Sequence, residues 1–230
     1  MKYKIVCLLF IIVFCVIVGF VDNENMSSNN NNKIAICMWY DDAIKEYGDI
    51  AKKKNQKYCD INGYDLIFSN KQNLKDRHPA WERLPLLLNT LKNNKYDYVM
   101  WIDADACFNL NCKKYNLNKI INDNKDKDII LSGDLYSDDA INSGVMILKN
   151  TEFSINFIKN VIKSDSEECK YHFNRRNWDQ ECIKDTYNKY NKDKIVILLL
   201  NSIQTFPNHD IYDNESLIYH YTKCETKPKE

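Results

Sequence analysis

The sequence predicts an α/β domain, and three observations lead to that fold class. Apolar stretches of strand length, beginning with Ile34–Tyr40, alternate with stretches that carry apolar residues at helical spacing. The first strand, a helix and a second strand at Asp65–Phe68 follow one another through short turns, which is how nucleotide-binding sheets begin. The apolar run Val99–Ile102 is followed directly by Asp103 and Asp105, at the end of a strand where open sheets place their ligands.

The individual elements follow from spacing and from helix start and stop signals. Asp41 or Asp42 is positioned to cap a helix that runs to about Tyr58, and Asn62-Gly63 forms the turn after it. A second helix is expected to begin at Pro85, since proline is tolerated in a first turn, and this places Arg83 just before the helix. The remaining predicted elements are a strand at Tyr98–Ile102, a short helix at Leu117–Asn122, strands at Asp128–Gly133 and Ala140–Leu148, helices starting at Thr151 and Trp178, and a strand at Ile195–Leu200.

Composition sets the size of the fold and excludes one class of partner. After an N-terminal apolar segment is removed, the 230-residue chain has the length of one domain, and 44% apolar residues suffice for a sizeable core. The 32 basic and 32 acidic residues cancel. Nucleic-acid-binding proteins usually carry a basic excess, so this class is excluded.

Cysteine spacing argues against two kinds of site. The chain has nine cysteines, two of them in the N-terminal apolar run, and no CxxC pair, which disfavours a zinc ribbon or a redox motif. The seven others are an odd number, so they cannot all pair within one chain. One or two disulfides are expected if the domain lies in an oxidising compartment, and buried reduced cysteines are the alternative.

The N-terminus carries a predicted membrane segment. Residues 5–21 form 17 uncharged positions, preceded by Lys2 and Lys4. We interpret residues 1–21 as a cytoplasmic tip and signal-anchor transmembrane helix, with a cleaved signal peptide and a buried core helix as alternatives. Residues 22–33 are polar and Asn-rich and are expected to form a disordered stem. With an anchor or a signal peptide, the rest of the chain crosses the membrane.

The two carboxylates after the strand at 98–102 need a partner. A charge beside a buried strand is costly unless it is paired or bound to a cation. Asp103 and Asp105 therefore indicate a site for a hard divalent metal at the carboxyl end of this strand.

These residues carry a family resemblance. Trp101-Ile-Asp-Ala-Asp-Ala106 resembles the DxD motif of nucleotide-sugar transferases with the GT-A fold. The segment His78–Leu88, followed ten residues later by Tyr98–Asp105, is similar to the galactosyl/mannosyl/xylosyl transferase family 34. Later blocks of that family match in the same order at Asn142–Leu148, Trp178–Gln180 and Leu217–His220. The whole resemblance covers roughly residues 33 to 222.

The resemblance implies a fold and an arrangement of site residues. It implies one GT-A domain at 34–223 with a mixed, mostly parallel central sheet, followed by a polar tail at 224–230. It implies Mn²⁺, with Mg²⁺ as the alternative, held by Asp103, Asp105 and His220. The donor-binding residues would be Trp39, Tyr40, Arg83, Asp103, Ala104, Asn142, Ser143 and Gly144. Asp179 and Gln180 would be the catalytic residues.

Five of these residues also have an ordinary structural interpretation. Trp39 and Tyr40 are core aromatics in that interpretation, and Arg83 is a solvated arginine. Asp179 is then a helix-start acid, and His220 is a structural histidine.

The expected function is a glycosyltransferase. It would move galactose, xylose or mannose from a UDP- or GDP-linked donor to a glycan or glycoprotein, with retention of anomeric configuration as the resemblance implies. The protein would be a type II membrane protein of a lumenal, Golgi- or ER-like compartment, or secreted if its N-terminal segment is cleaved. The alternatives are an inverting GT-A transferase and an inactive carbohydrate-binding protein. An inverting enzyme needs a carboxylate base, for which Asp179, Asp138 and Asp139 are available.

Overall fold

The computed structural model describes residues 32–135 and 140–222. The predicted signal anchor at 1–21, most of the predicted stem at 22–33, Asp138, Asp139 and the predicted tail at 224–230 lie outside this part. Among the described residues, no helix combines the length and apolarity needed to cross a membrane.

The first half of the domain follows the predicted order of elements. Asp41 accepts a hydrogen bond from the Ala43 N–H and so caps a short 3₁₀ turn that leads into the first helix. That helix runs four residues past the predicted end at Tyr58, and Gly63 ends it in the left-handed conformation at φ 71°. The elements are β1 (Ile34–Trp39), α1 (Lys45–Asn62), β2 (Asp65–Ser69), α2 (Arg83–Lys92), β3 (Tyr98–Ile102) and β4 (Ala106–Phe108).

The sequence did not predict four of the short elements, namely β4 in the first half and α5, β8 and β9 in the second. The strands have two or three residues and the helix α5 has five, so none is long enough to show a periodicity. The elements of the second half are α3 (Leu117–Asp123), β5 (Ile129–Gly133), β6 (Ile141–Lys149), α4 (Glu152–Lys163), α5 (Glu167–Tyr171), α6 (Trp178–Lys189), β7 (Ile195–Leu198), β8 (Gln204–Thr205) and β9 (Ile218–His220).

Two sheets organise the described residues. The central sheet has six strands in the order β2-β1-β3-β6-β5-β7, and β6 alone among them runs antiparallel to its neighbours. The predicted mixed, mostly parallel sheet is therefore confirmed. A small second sheet has the order β4-β9-β8, and it begins four residues after β3 ends.

The central strands are buried on both faces. In β1 the side chains of Ile34, Ile36 and Met38 enter one apolar core, whereas Ala35, Cys37 and Trp39 enter the core on the other side. Helices α1 and α3 cover the first face, and α2, α4 and α6 cover the second. Because helices cover both faces of the central sheet, the sequences of these strands are continuous apolar runs.

The start of α2 differs from the prediction. The helix begins at Arg83, after a 3₁₀ turn at Pro79–Glu82, and Pro85 lies inside its first turn. Proline is tolerated there because the first N–H groups of a helix have no intrahelical acceptor. The predicted helix start at Pro85 was therefore wrong by two residues, and Arg83 belongs to the helix and does not precede it.

The structure pairs two of the cysteines. Cys169 on α5 and Cys182 on α6 form a disulfide, and both are fully buried. Among the described residues, four cysteines have free thiols, namely Cys37, Cys59, Cys107 and Cys112.

Candidate metal centre and cleft

A tight turn presents the two carboxylates at the end of β3. The Asp103 N–H donates to the Gly144 carbonyl of β6 at 2.9 Å, and the Ala106 N–H donates back to the Asp103 carbonyl at 3.0 Å. The turn leads directly into β4, where Ala106 lies opposite His220 in the antiparallel pair with β9. The small sheet thus brings a histidine from near the end of the described chain to the carboxylates.

Asp103, Asp105 and His220 form a compact set of possible metal ligands. One ligand atom from each lies within 4.8 Å of the other two. The His220 Nε2 atom is 3.3 Å from Asp105 Oδ1 and 3.8 Å from Asp103 Oδ2. The predicted metal ligands are therefore brought together in space.

The ring of His220 is held from two sides. The Gln204 amide oxygen lies 2.9 Å from Nδ1 and accepts its proton, and Nε2 faces the carboxylates. The ring also packs directly on Gly144, where an added Cβ would lie 2.2 Å from His220 Cε1. Gln204 is fully buried on β8. Sequence reasoning missed this residue, since a two-residue strand gives no pattern.

Arg83 connects the carboxylate pair to the catalytic candidate Asp179. Its Nη1 atom lies 3.3 Å from Asp103 Oδ1, and its Nε atom lies 3.1 Å from Asp179 Oδ2. Nη1 also donates to the Ser143 carbonyl at 2.6 Å. Only 6% of Arg83 is exposed, which rules out a solvated arginine. Burial lowers its pKa, but the charges of Asp103 and Asp179 outweigh burial and leave the pKa raised, so Arg83 stays charged.

Asp179 lies in a different environment from the metal-binding candidates. It belongs to the first turn of α6 and is 1% exposed. Burial raises its pKa to about 6, Arg83 opposes this shift, and the negative charge of Asp103 adds to it. Asp179 is thus a helix-start acid by position, but it is also a buried acid paired with an arginine.

A cleft of about 750 Å³ opens in front of these groups. Its floor includes Asn142, Ser143 and Gly144 of β6, and its wall includes Asp179 and Gln180. The Gln180 amide oxygen accepts the Ser143 N–H at 3.0 Å, which fixes the wall against the floor. The predicted metal, sugar and catalytic residues therefore line one cavity, together with Arg83, Asp134, Arg176, Asn177, Trp178, Glu181, Lys184, His209 and Thr222.

The wall contains two consecutive residues with positive φ, of which Trp178 is strained. Asn177 and Trp178 have φ values of 74° and 36°, a conformation that is a genuine outlier for a bulky residue such as tryptophan. The Trp178 ring stacks on His78, with ring centroids 4.4 Å apart. Strain of this kind clusters at functional sites, and here it directly precedes Asp179 and Gln180.

Three predicted donor-binding residues lie apart from the cleft lining. Trp39 is buried in the core, and its Nε1–H donates to the Lys71 carbonyl at 3.0 Å. Tyr40 donates its hydroxyl proton to Asp49 at 2.6 Å. Ala104 is buried in the turn between the two carboxylates. The core interpretation holds for Trp39, and contact of these residues with a nucleotide stays a prediction.

Comparison with known sequences finds a family match over part of the chain. Residues 26–125 match the sequence profile of the galactosyl transferase GMA12/MNN10 family. The chain is also 21% identical over 150 residues to galactomannan galactosyltransferase 1 of Cyamopsis tetragonoloba, a match that covers 63% of this chain and 32% of that protein. The match thus spans about a third of that relative's length. The resemblance predicted from the sequence is confirmed in this region.

Comparison with solved structures gives the fold. A glycosyltransferase involved in the glycosylation of the major capsid of PBCV-1 superposes with a TM-score of 0.68 at 14% identity, covering 85% of this chain and 94% of that one. GlyE of Streptococcus pneumoniae TIGR4 gives 0.57 at 15% identity, with 84% and 56% covered. Galactosyltransferase LgtC gives 0.51 at 14% identity, with 83% and 87% covered. The domain therefore has the GT-A-like fold of these glycosyltransferases.

Proposed function

We propose that this chain, whose residues 26–125 match a galactosyl transferase family, is a metal-dependent glycosyltransferase that uses a nucleotide-sugar donor. One observation carries the proposal. Asp103, Asp105 and His220 lie together at the carboxyl end of β3, beside a cleft lined by Asp179 and Gln180. The GT-A-like fold supports it.

The three side chains fit a divalent cation. Two carboxylates and an imidazole that donates its Nδ1 proton to Gln204, with Nε2 available as a ligand, form a donor set that accepts Mn²⁺, and Mg²⁺ is the alternative. When bound, the ion would act as a Lewis acid that stabilises the negative charge of a diphosphate leaving group. Gln204 fixes the His220 tautomer, and Gly144 leaves room for the ring.

The other residues of the cleft would bind and orient the sugar. The Arg83 guanidinium lies between the floor and the wall of the cleft. We propose that it approaches the diphosphate of the donor there. Asn142, Ser143 and Gly144 would border the donor sugar. Asp179 and Gln180 would line its other side, with Gln180 stabilising positive charge at the anomeric carbon. In this arrangement the donor departs and the acceptor attacks on the same face, which retains the configuration.

The finer assignments rest on the family match and on the N-terminal sequence. We propose galactose, xylose or mannose as the transferred sugar, with galactose tested first because the relative is a galactosyltransferase. A glycan or a glycoprotein would be the acceptor. We further propose that residues 1–21 anchor the protein, that 22–33 form a stem, and that residues 34–223 act in a Golgi- or ER-like lumen. The disulfide Cys169–Cys182 supports an oxidising compartment.

The test is turnover of a panel of UDP- and GDP-linked sugars, with and without Mn²⁺. We expect hydrolysis of at least one donor that needs the metal and that speeds up when a suitable acceptor glycan is added. NMR of the product gives the anomeric configuration and tests retention. Asp123→Asn is a matched control, because Asp123 is an exposed carboxylate paired with Lys119 away from the cleft. Binding of donors and acceptors without turnover would favour the inactive carbohydrate-binding protein instead.

A further inference from the structure

A disulfide closes the stretch of chain that forms the wall of the cleft. Cys169 and Cys182 are 13 positions apart, and the segment between them includes residues 176–181, all of which line the cleft. Cys182 lies on α6 two residues after Gln180 and three after Asp179. We call residues 170–181 the cleft wall.

The cleft wall has a conformation that its own sequence does not favour. Asn177 and Trp178 hold positive φ values in succession, and the Gln180 N–H then donates to the Asn177 carbonyl at 2.8 Å as α6 begins. A strained backbone persists only where its surroundings hold it in place. Asp179 and Gln180 are held directly by Arg83 and Ser143, and the contacts at the two ends of the wall hold the backbone that carries them.

Noncovalent contacts hold one side of the wall. The Arg77 guanidinium lies 3.8 Å from the centre of the Phe173 ring and 4.8 Å from that of Trp81. The His78 N–H donates to the Phe173 carbonyl at 2.9 Å, and its ring stacks on Trp178. These contacts give the His78–Leu88 segment a role besides supplying Arg83. The disulfide adds a covalent link between the two ends of the wall, from α5 to α6.

We propose that the Cys169–Cys182 disulfide is a positioning element that keeps Asp179 and Gln180 in their catalytic arrangement, so that turnover depends on its oxidation state. The inference rests on the proposed function. Reduction breaks the S–S bond and gives two thiols, and the two electrons and two protons come from an added dithiol such as dithiothreitol, which is oxidised to its own disulfide. The freed wall then shifts by a small distance, and displacements near 1 Å lower rates by about a hundredfold.

The first experiment compares the folded wild-type protein before and after reduction with dithiothreitol, which is removed by desalting without oxygen. We expect kcat for donor turnover to fall about tenfold to a hundredfold, and oxidised glutathione to restore it. The affinity for Mn²⁺ should stay within about twofold, because Asp103, Asp105 and His220 lie outside the wall. Unchanged kcat in protein shown by thiol titration to be reduced would overturn the inference.

Two variants serve as comparators. Cys169→Ala/Cys182→Ala should be as slow as the reduced wild type and should not respond to dithiothreitol or oxidised glutathione. Cys112→Ala removes a partly buried free thiol outside the wall and should behave as the wild type does. A double variant that keeps full turnover, or a Cys112→Ala protein that loses the response, contradicts the proposal.

Hydrogen exchange separates this inference from the proposed function. On reduction, amides of residues 170–184 should exchange faster, whereas those of β3 and β6 should keep their protection. If no nucleotide sugar is turned over in either state, the proposed function fails, and the exchange pattern alone decides this inference. Protection of residues 170–184 that survives reduction overturns it.

Discussion

Asp105 and Asp179 are carboxylates of the same cleft, but they lie in different environments. The Asp105 side chain is 19% exposed and faces His220, with Asp103 nearby. The Asp179 side chain is 1% exposed and is paired with Arg83, a cation that the chain itself supplies. Asp103 lies between the two, within 3.3 Å of Arg83 and 3.8 Å of His220.

The difference lies in the source of the cation that each carboxylate pairs with. Two partly exposed carboxylates beside an imidazole form a ligand set for a cation from solution, which the chain itself does not supply. A buried carboxylate with its own arginine is part of the packed structure, so removal of either partner leaves a charge without compensation. Substitutions at the metal-binding candidates should therefore lower activity, whereas substitutions at the Arg83–Asp179 pair should lower stability. Four predictions test this contrast.

The largest effect is expected for Arg83→Ala. Breaking a buried ion pair by removing one partner costs about 3–5 kcal/mol of unfolding free energy, and Asp179 would be left buried beside Asp103. Urea unfolding at pH 7 measures the loss. Arg83→Lys should recover only part of it, because lysine cannot contact Asp103, Asp179 and Ser143 with one planar group. The exposed Arg175→Ala is the control. A loss below about 1 kcal/mol would mean that the pair behaves as a surface salt bridge.

Asp105→Asn should affect activity and leave the fold intact. We expect Mn²⁺-dependent donor turnover to fall by about 100- to 1,000-fold, because a charged ligand is lost. Unfolding free energy should change by less than about 1 kcal/mol, since relief of the repulsion between the two carboxylates without a metal offsets the weakened contact of residue 105 with His220. Rates with saturating Mn²⁺ and a parallel urea titration check both parts. An unfolded variant would show that Asp105 is structural, and full Mn²⁺-dependent turnover would show that the metal site is wrong.

The pH dependence of stability should identify Asp179. Its pKa is raised from 3.8 to about 6 in the folded protein, so folding takes up a proton between these values. The contribution of Asp179 to stability is fully present below pH 4 and is lost as pH rises through 6, by roughly 3 kcal/mol in all. Urea unfolding of the wild type and of Asp179→Asn between pH 4 and 7 isolates this contribution. If the difference in unfolding free energy between the two proteins does not change with pH, the raised pKa of Asp179 is wrong.

The smallest effect is expected at Gln204, which touches the metal site only through His220. Gln204→Leu removes the acceptor for the Nδ1 proton and should weaken Mn²⁺ binding by about 10- to 100-fold. His220→Ala should weaken it at least as much, and Gln204→Glu should keep it because a carboxylate also accepts this proton. Calorimetric titration with Mn²⁺ measures all three. Equal affinity in Gln204→Leu and the wild type would show that the tautomer is held by other contacts.

Local patterns predicted the frame of the domain and the residue types of the site. The apolar run before Asp103 could be identified as a strand because both faces of β3 are buried, and the ordered motifs gave His220 and Asp179. The contacts between these motifs were not predictable from spacing. Arg83 and Asp179 are 96 positions apart, and the ion pair between them depends on how α2 and α6 pack on the same face of the sheet.

The residues that sequence reasoning missed belong to short or irregular pieces. Gln204 lies in a two-residue strand whose pairing with β9 is a long-range event. The positive φ of Trp178 contradicts the preference of tryptophan, so the neighbouring contacts must override it. The pairing of Cys169 with Cys182 depends on the packing of α5 against α6, and an odd number of cysteines does not indicate which ones pair.

The glycine at position 144 limits how the floor of the cleft could change over evolutionary time. Its N–H donates to the Asn142 side chain and its carbonyl accepts from Asp103, so one residue belongs to both the cleft floor and the turn that carries Asp103 and Asp105. A single methyl group there would occupy the position of the His220 ring. A lineage that remodels this floor must therefore keep glycine at position 144 and place its variation at neighbours such as Asn142 and Asp134, which also line the cleft.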